Sequence, residues 1–276
     1  MSTSTPTISI VVPCFNEQPE VLERSLNSLK IQTFCDFECI VIDESTFIQS
    51  AEACKAICNS DERFRYIRPE TRLGLAGSLN LGISAARGRY IARFDSDDIC
   101  MPHRLEEQVL YLDNNPEIGV LGGHLAIVDE NERFTALRHY PLNHKAIERR
   151  FHLNNAMAHP TVMMRRSVIE AHGAYDPKFK FAEDLELWLR LINKDVQFAN
   201  IDSVLVHYRQ QSSNRSASNW RYNLMARLVN FQLRGMLKRA GGMFLIGLWA
   251  LMPNYLQEWV FAKLVFASHK PDRSLS

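Results

Sequence analysis

The chain lacks several features that would assign it to a particular class. No basic start followed by an apolar run occurs near residue 1, so a secretory signal is not expected. No internal repeat is visible. The six cysteines are scattered and lack the tight knuckle spacing of zinc modules, which predicts buried, reduced thiols and a cytosolic compartment. The length of 276 residues and the ordinary apolar and charged fractions then predict one large domain, or one domain with an appendage.

Acidic residues are scarce near the C-terminus. After residue 203 only Glu258 and Asp272 stand against ten lysines and arginines, and residues 240–257 carry no charge. Basic residues that flank an apolar, aromatic run favour anionic lipid. We therefore expect a domain over residues 1–215 and a basic helical segment over residues 216–276 that contacts the cytoplasmic face of the membrane. A helical cap packed on the domain and a membrane span are the alternatives.

Strand and helix patterns alternate through the first hundred residues, which predicts an α/β fold with a mostly parallel, doubly wound sheet. The predicted strands cover residues 8–12, 37–42, 64–67 and 89–94, and the predicted helices cover residues 17–32, 51–58 and 74–86, the last closed by Gly88. Further along, helices are predicted at residues 103–114, 142–151 and 183–193, and strands at residues 120–128, 134–137, 161–164, 196–199 and 204–208.

An acidic cluster follows the fourth predicted strand. Asp95, Asp97 and Asp98 place three carboxylates within four residues. Like charges this close repel each other, so the cluster costs stability unless a cation binds there, and Mg²⁺ or Mn²⁺ is expected. The alternative is an acidic turn in which Asp98 caps the next helix.

Polar residues follow each of the first four predicted strands. Because the carboxyl ends of parallel strands share one edge of the sheet, these residues are expected to converge on a nucleotide. A carboxylate such as Asp43 suits a base or ribose, and Arg72 suits a phosphate. The residues predicted to bind the nucleotide are Pro13, Asn16, Glu17, Asp43, Arg72, Asn80, Asp95 and Ser96.

The chain resembles glycosyltransferase family 2, whose members are inverting enzymes with the GT-A fold. The resemblance extends over about residues 7–215. It rests on the order of residues 12–17, 42–46, 73–76 and 95–98, together with Asn80, Gly82, Gly88, the block at residues 182–190 and the segment His207-Tyr208-Arg209. The chain departs from the family after the second strand, where Glu44 stands in place of a second aspartate and no glycine follows.

The resemblance implies roles for the acidic residues. Asp43 would hold uracil or another base, Asp95 would touch the ribose, and Asp97 would coordinate the metal with help from Asp98. Asp184 would be the general base, with Glu183 as its rival. Both acids would otherwise simply cap a helix. His159 and His207 are weaker candidates for lining the site.

The implied reaction is transfer of a sugar from a nucleoside-diphosphate sugar, with a UDP-sugar favoured, to a lipid-linked or glycan acceptor in surface polysaccharide assembly. No nucleic acid partner is expected. The alternatives are a non-catalytic sugar-nucleotide-binding scaffold and a nucleotidyltransferase. The latter would favour a glycine-rich, basic first loop, which residues 13–17 do not provide.

Overall fold

The computed structural model describes residues 5–210, 217–232, 236–252 and 256. Its strands are β1 (Ile8–Cys14), β2 (Phe37–Asp43), β3 (Phe64–Ile67), β4 (Tyr90–Arg93), β5 (Ile99–Cys100), β6 (Ile118–Val128), β7 (Phe134–Arg138), β8 (Met163–Arg165) and β9 (Gln197–Arg209). Its helices are α1 (Pro19–Lys30), α2 (Ile48–Asn59), α3 (Gly74–Ala85), α4 (Arg104–Asn114), α5 (His144–Phe151), α6 (Arg166–His172), α7 (Glu183–Ile192), α8 (Ala217–Val229) and α9 (Met236–Leu251), with a 3₁₀ turn at His159–Thr161.

One mixed sheet organises these elements in the order β3-β2-β1-β4-β8-β6-β9-β5, and β7 pairs with β6 at the side. The four strands from β3 to β4 are parallel, whereas β8 runs antiparallel to β4 and β6. The α/β fold is confirmed. The parallel strands bring their carboxyl ends to one edge, where the functional residues collect.

Both faces of the sheet are covered by helices, because the central strands are apolar on both sides. Along β1, Ile10 and Val12 pack in one cluster with α1, α2 and α4, while Val11 packs in the other with α3, α5 and α7. Such continuous apolar strands are typical of a parallel sheet buried between two helical layers.

The second half of the chain differs from the prediction in its strands. Residues 197–209 form one strand rather than two, because β9 stays paired with β6 along its length. The register shifts between the two strands leave the polar residues Asp202 and Ser203 without a paired residue on β6. The two-residue β5 and the seven-residue α6 were not predicted, since neither is long enough to show a period.

Gly88 does not cap a helix, contrary to the prediction. Helix α3 ends at Ala85, and Ala86 already has an extended backbone. A Cβ at Gly88 would lie 2.5 Å from the Ser9 nitrogen, so this position needs glycine for a close approach of two backbones.

The six cysteines are unpaired. Five of them are buried, but Cys35 is exposed, so the prediction of buried thiols is wrong for that residue. It lies in the short connection between α1 and β2, which runs over the surface.

The two C-terminal helices pack on the rest of the fold. Ala226 of α8 is fully buried in the cluster that includes α5 and α7, and a Cβ at Gly242 of α9 would lie 2.1 Å from the His152 carbonyl oxygen. The opposite face of α9 exposes apolar side chains, among them Phe244 at 67% and Leu248 at 49%. Among the described residues, no helix is long and apolar enough to cross a membrane. The predicted boundary near residue 215 and the predicted tail beyond 256 lie outside the described residues.

Candidate active site

The acidic loop after β4 is held in place by buried side chains beneath it. Arg104, fully buried at the start of α4, donates to the Arg93 carbonyl at 2.8 Å. From α1, Ser25 donates to the Asp95 carbonyl at 3.3 Å, and the Ser28 hydroxyl accepts from the Cys100 N–H at 2.9 Å. The loop backbone is therefore fixed at both ends by α1 and α4.

Asp98 is the innermost carboxylate of this loop. One of its oxygens accepts from the Arg209 N–H at 2.9 Å, while the other is buried and has no hydrogen-bond partner in the described residues. Burial, then the charges of Asp95 and Asp97, raise the pKa of Asp98 well above its usual range. The alternative that Asp98 caps α4 is wrong, because the residue before that helix is His103.

Glu17 joins the same acidic cluster from the loop after β1. Burial, then the charges of Asp97 and Asp95, raise the pKa of Glu17 to about 7. Four carboxylates thus face one region, and Ser96 hydrogen-bonds to Glu17 within it. This mutual repulsion, with a buried oxygen of Asp98 that lacks a partner, fits a site for a divalent cation.

The acidic cluster of Glu17, Asp95, Asp97 and Asp98 does not by itself supply a complete set of metal ligands. In the described part of the chain, the groups of three side chains whose ligand atoms all lie within 4.8 Å of one another are Cys14, Asp43 and Cys54, and His124, His139 and Asp202. No three members of the acidic cluster meet that distance. A cation there would take further oxygens from a bound ligand, as Mg²⁺ does beside phosphates.

Arg93, the last residue of β4, is a buried cation beside this cluster. Its guanidinium forms an ion pair with Asp95 and is 5% exposed. Burial lowers the pKa of Arg93, but the charge of Asp95 and its hydrogen bond outweigh this effect, so the net shift is upward. The charge of Arg93 also opposes the upward shift that burial imposes on the pKa values of Glu183 and Asp184.

Asp43 ends β2 in a fully buried position. Its carboxylate accepts from the Ser45 N–H at 2.9 Å, from the Tyr66 hydroxyl at 2.7 Å and from the Arg68 guanidinium at 3.1 Å. Asp43 is therefore fixed beneath Arg68, whose side chain is 46% exposed at the end of β3. The sequence did not single out Tyr66 or Arg68.

Asn16 and Asn80, both predicted to bind the nucleotide, hydrogen-bond to the backbone of segments far away in the sequence. Asn16 has a left-handed backbone (φ 59°), and its side-chain oxygen accepts from the N–H groups of Thr46 and Phe47 at 2.7 and 3.0 Å. Asn80 of α3 holds both the N–H and the carbonyl of Tyr175, at 3.0 and 2.8 Å. Direct contact of either amide with a nucleotide stays a prediction.

Arg72 lies exposed at the same edge, with its guanidinium 3.9 Å from the centroid of the Phe15 ring. Glu44 accepts from the N–H groups of Leu73 and Gly74, at the start of α3. Pro13 pairs with β2 within the sheet, so it shapes the strand end.

The second acidic pair begins α7. Ala182, just before the helix, has a left-handed backbone (φ 61°), a strained geometry for a residue with a Cβ. Asp184 accepts from its neighbour's N–H at 2.7 Å and from the Asn155 amide at 2.6 Å. Burial, then the charge of Asp184, raise the pKa of Glu183 to about 8.

Two largely buried side chains, His159 and Trp188, lie next to the Glu183–Asp184 pair. His159 lies 2.8 Å from the Tyr175 hydroxyl and 3.9 Å from Glu183, and burial holds its pKa well below the usual range, so the ring is neutral. Trp188 is fully buried and packs edge-on against His159, which confirms the interpretation of this face of α7 as core. His207 lies on β9 opposite Ile99, near the acidic loop.

The family model for glycosyl transferase family 2 matches residues 9–173 of this chain. The chain belongs to this family. It is 30% identical over 232 residues to the O-antigen biosynthesis glycosyltransferase WbnJ of Escherichia coli, covering 83% of this chain and 89% of that protein.

Solved structures share the fold. The S. aureus TarS fragment in complex with UDP-GlcNAc aligns with a TM-score of 0.67 at 18% identity, over 97% of this chain and 76% of that one. The mannosyltransferase PcManGT of Pyrobaculum calidifontis, in complex with GDP-Man and Mn²⁺, aligns with a TM-score of 0.64 at 14% identity, over 98% and 77%. The expected GT-A architecture is confirmed.

The raised pKa of Glu183 makes stability depend on pH. Between about pH 4.5 and 8 the folded state holds a proton that the unfolded state releases, so stability falls as pH rises through this window. Glu183→Gln should flatten that decline and should raise the urea midpoint at pH 8 relative to the parent. Glu170→Gln, an exposed pair partner of Arg166, is the control and should keep the parent's slope. An unchanged slope in Glu183→Gln would contradict the assignment.

Proposed function

We propose that this protein is an inverting, metal-dependent glycosyltransferase that takes a nucleoside-diphosphate sugar, with a UDP-sugar favoured, and glycosylates a lipid-linked or glycan acceptor in surface polysaccharide biosynthesis. The observation that carries the proposal is the presence of two separate acidic groups. One lies at the strand ends, where a nucleotide binds in such sheets, and the other begins α7.

The donor lies along the ends of β1, β2 and β4. Arg68 presents its guanidinium to the base and is fixed from beneath by the buried Asp43, while Asp95 and Ser96 face the ribose. Arg72, exposed beside Phe15, reaches the diphosphate as a charge-assisted donor. Asn16 and Asn80 keep these loops in register through their backbone contacts.

Asp97 and Asp98 are the residues that would hold the cation, with Glu17 beside them. When bound, the cation offsets the negative charge that develops on the departing nucleoside diphosphate. The protein's own contribution is to fix the carboxylates: the Arg209 N–H holds Asp98, and the Arg209 side chain donates to the Asp97 carbonyl at 3.2 Å.

Asp184 is the general base that takes the acceptor hydroxyl's proton. Both of its hydrogen bonds stabilise the ionised form and orient the carboxylate, whereas Glu183 is more buried and lies against the neutral His159. An inverting transfer needs the acceptor to attack from the side opposite the leaving group, and α7 supplies a carboxylate apart from the donor's strand ends.

The exposed apolar face of α9 supports contact with an anionic membrane. Phe244 and Leu245 are neighbours, Leu248 lies one turn further along on the same side of the helix, and the three side chains are 67%, 54% and 49% exposed. Lys238 and the exposed Arg221 on α8 add positive charge nearby. Such a surface binds at the lipid interface rather than across the bilayer.

Nucleotide release tests the enzyme directly. Given a panel of UDP- and GDP-sugars with an acceptor, the protein should release nucleoside diphosphate with Mg²⁺ or Mn²⁺, and chelator should abolish release. Asp97→Ala should remove turnover, and Glu106→Gln, exposed on α4, should leave it unchanged. Full release in excess chelator would overturn the metal requirement, and binding of donors with no release would favour the non-catalytic scaffold.

Asp184→Asn should lower kcat by about two to four orders of magnitude, because it keeps the shape but removes the basic lone pair. Donor affinity, measured by titration without acceptor, should be nearly unchanged. Glu183→Gln is the matched variant at the same helix start. If Glu183→Gln loses turnover and Asp184→Asn retains it, Glu183 is the base.

The α9 surface is tested by vesicle flotation. Phe244→Glu with Leu248→Glu should greatly reduce binding of the full chain to vesicles that contain phosphatidylglycerol, because charges replace the inserting apolar groups. Leu110→Glu, a 63% exposed apolar position on α4, is the control and should bind like the parent. Equal flotation of all three proteins would rule out this surface.

A further inference from the structure

A small cavity lies between α5, α7, α8 and α9, away from the acidic clusters. It measures about 30 Å³, more than the roughly 10–15 Å³ that one water needs. Its lining is apolar on the α7 side, through Leu189 and Ile192, while the α5 end contributes Phe151 together with the polar Glu148 and His152. Helices α8 and α9 contribute two arginines, Arg227 and Arg239.

Arg227 is the unusual group in this cavity. Its side chain is 6% exposed, and it donates to the Phe151 carbonyl and to the Asn223 side chain at 2.9 Å. Among the described residues its remaining terminal nitrogen has no hydrogen-bond partner, and no carboxylate pairs with it. Burial lowers the pKa of Arg227 to about 10, which records the cost of this unneutralised charge.

The surroundings add positive charge. Arg239 donates to the Asn230 carbonyl and to the Asn193 side-chain oxygen, both at 3.0 Å. His152 lines the same cavity, and burial, then the charge of Arg239, keep its pKa below the usual range. Glu148 is the carboxylate of the lining, and among the described residues it forms no ion pair with Arg227.

We propose that this cavity is a phosphate-binding site, in which Arg227 and Arg239 grip a phosphate group. Buried guanidinium groups are favourable when an anion accepts their fork of N–H donors. The terminal nitrogen of Arg227 that has no partner among the described residues supplies such a donor in the cavity.

Two kinds of ligand carry such a phosphate group: a polyprenyl diphosphate that carries the acceptor sugar, and an anionic phospholipid. The first deepens the proposed function and rests on it. Helix α7 connects the two sites, because Leu189 and Ile192 lie five and eight residues beyond Asp184, a rise of about 8–12 Å. A short saccharide on a phosphate held here would present its hydroxyl groups towards the base.

The test measures binding without any donor, so it is independent of glycosyl transfer. With chelator present and ionic strength held constant, inorganic phosphate or pyrophosphate should raise the Tm of the full chain by about 2–4 °C. Arg227→Met should lose this shift. Arg221→Gln, exposed on α8, should keep it.

Two further variants keep the result decisive. If Arg227→Met does not fold, Arg227→Lys retains the charge but loses the fork, and its phosphate affinity should fall on the order of tenfold. Glu148→Gln removes the carboxylate of the lining and should tighten phosphate binding. An equal shift in the parent and in the Arg227 variants, or no shift in the parent, would overturn the site.

The source is decided by two lipid probes. Farnesyl diphosphate should bind the parent more tightly than pyrophosphate does and should depend on Arg227 if the site takes a polyprenyl diphosphate. Vesicles with phosphatidylglycerol should show the Arg227 dependence instead if the site takes a phospholipid. Either pattern supports the phosphate site. Dependence on Arg227 in neither probe, despite a phosphate shift, would overturn its role in lipid binding, whereas absent nucleotide release in the parent would overturn only the enzymatic proposal.

Discussion

The ion pair between Arg93 and Asp95 is the interaction on which the site depends. Arg93 brings a buried positive charge to the point where β4 ends, and that charge acts on the cluster around Asp98 and on the pair at α7. Without it, these carboxylates would repel each other more strongly in a medium of low polarity, and more of them would hold protons. Arg93 therefore offsets part of the upward shift that burial imposes on the pKa values of Asp98, Glu183 and Asp184.

Much of the site could be predicted because the information is local. Asp95, Asp97 and Asp98 are adjacent in sequence and follow an apolar strand, and the order of parallel strands then fixes which edge they share. The Glu183–Asp184 pair begins a helix with a clear period. Such features can be predicted from a few neighbouring residues and from the rule that the carboxyl ends of parallel strands share one edge of the sheet.

The features that the sequence did not reveal come from contacts between distant residues. Asn80 holds Tyr175, which is 95 positions away, and Arg209 holds Asp98 across 111 positions. Gly88 has an ordinary backbone, and its need for glycine comes only from Ser9 on a neighbouring strand. No periodicity or propensity encodes these approaches, so the backbone contacts of Asn80 could not be foreseen from the sequence around it.

The Glu44 carboxylate occupies a position at the start of α3 where a phosphate group could otherwise bind. The N-terminus of a helix is a natural place for phosphate, because its N–H groups point outward and its dipole is positive there. At α3 those groups are already taken by the Glu44 carboxylate. Glu44 stands where the family pattern has an aspartate, so the charge is the same and the side chain is one methylene longer. The chain's own carboxylate therefore occupies the anion site that the start of α3 would otherwise offer.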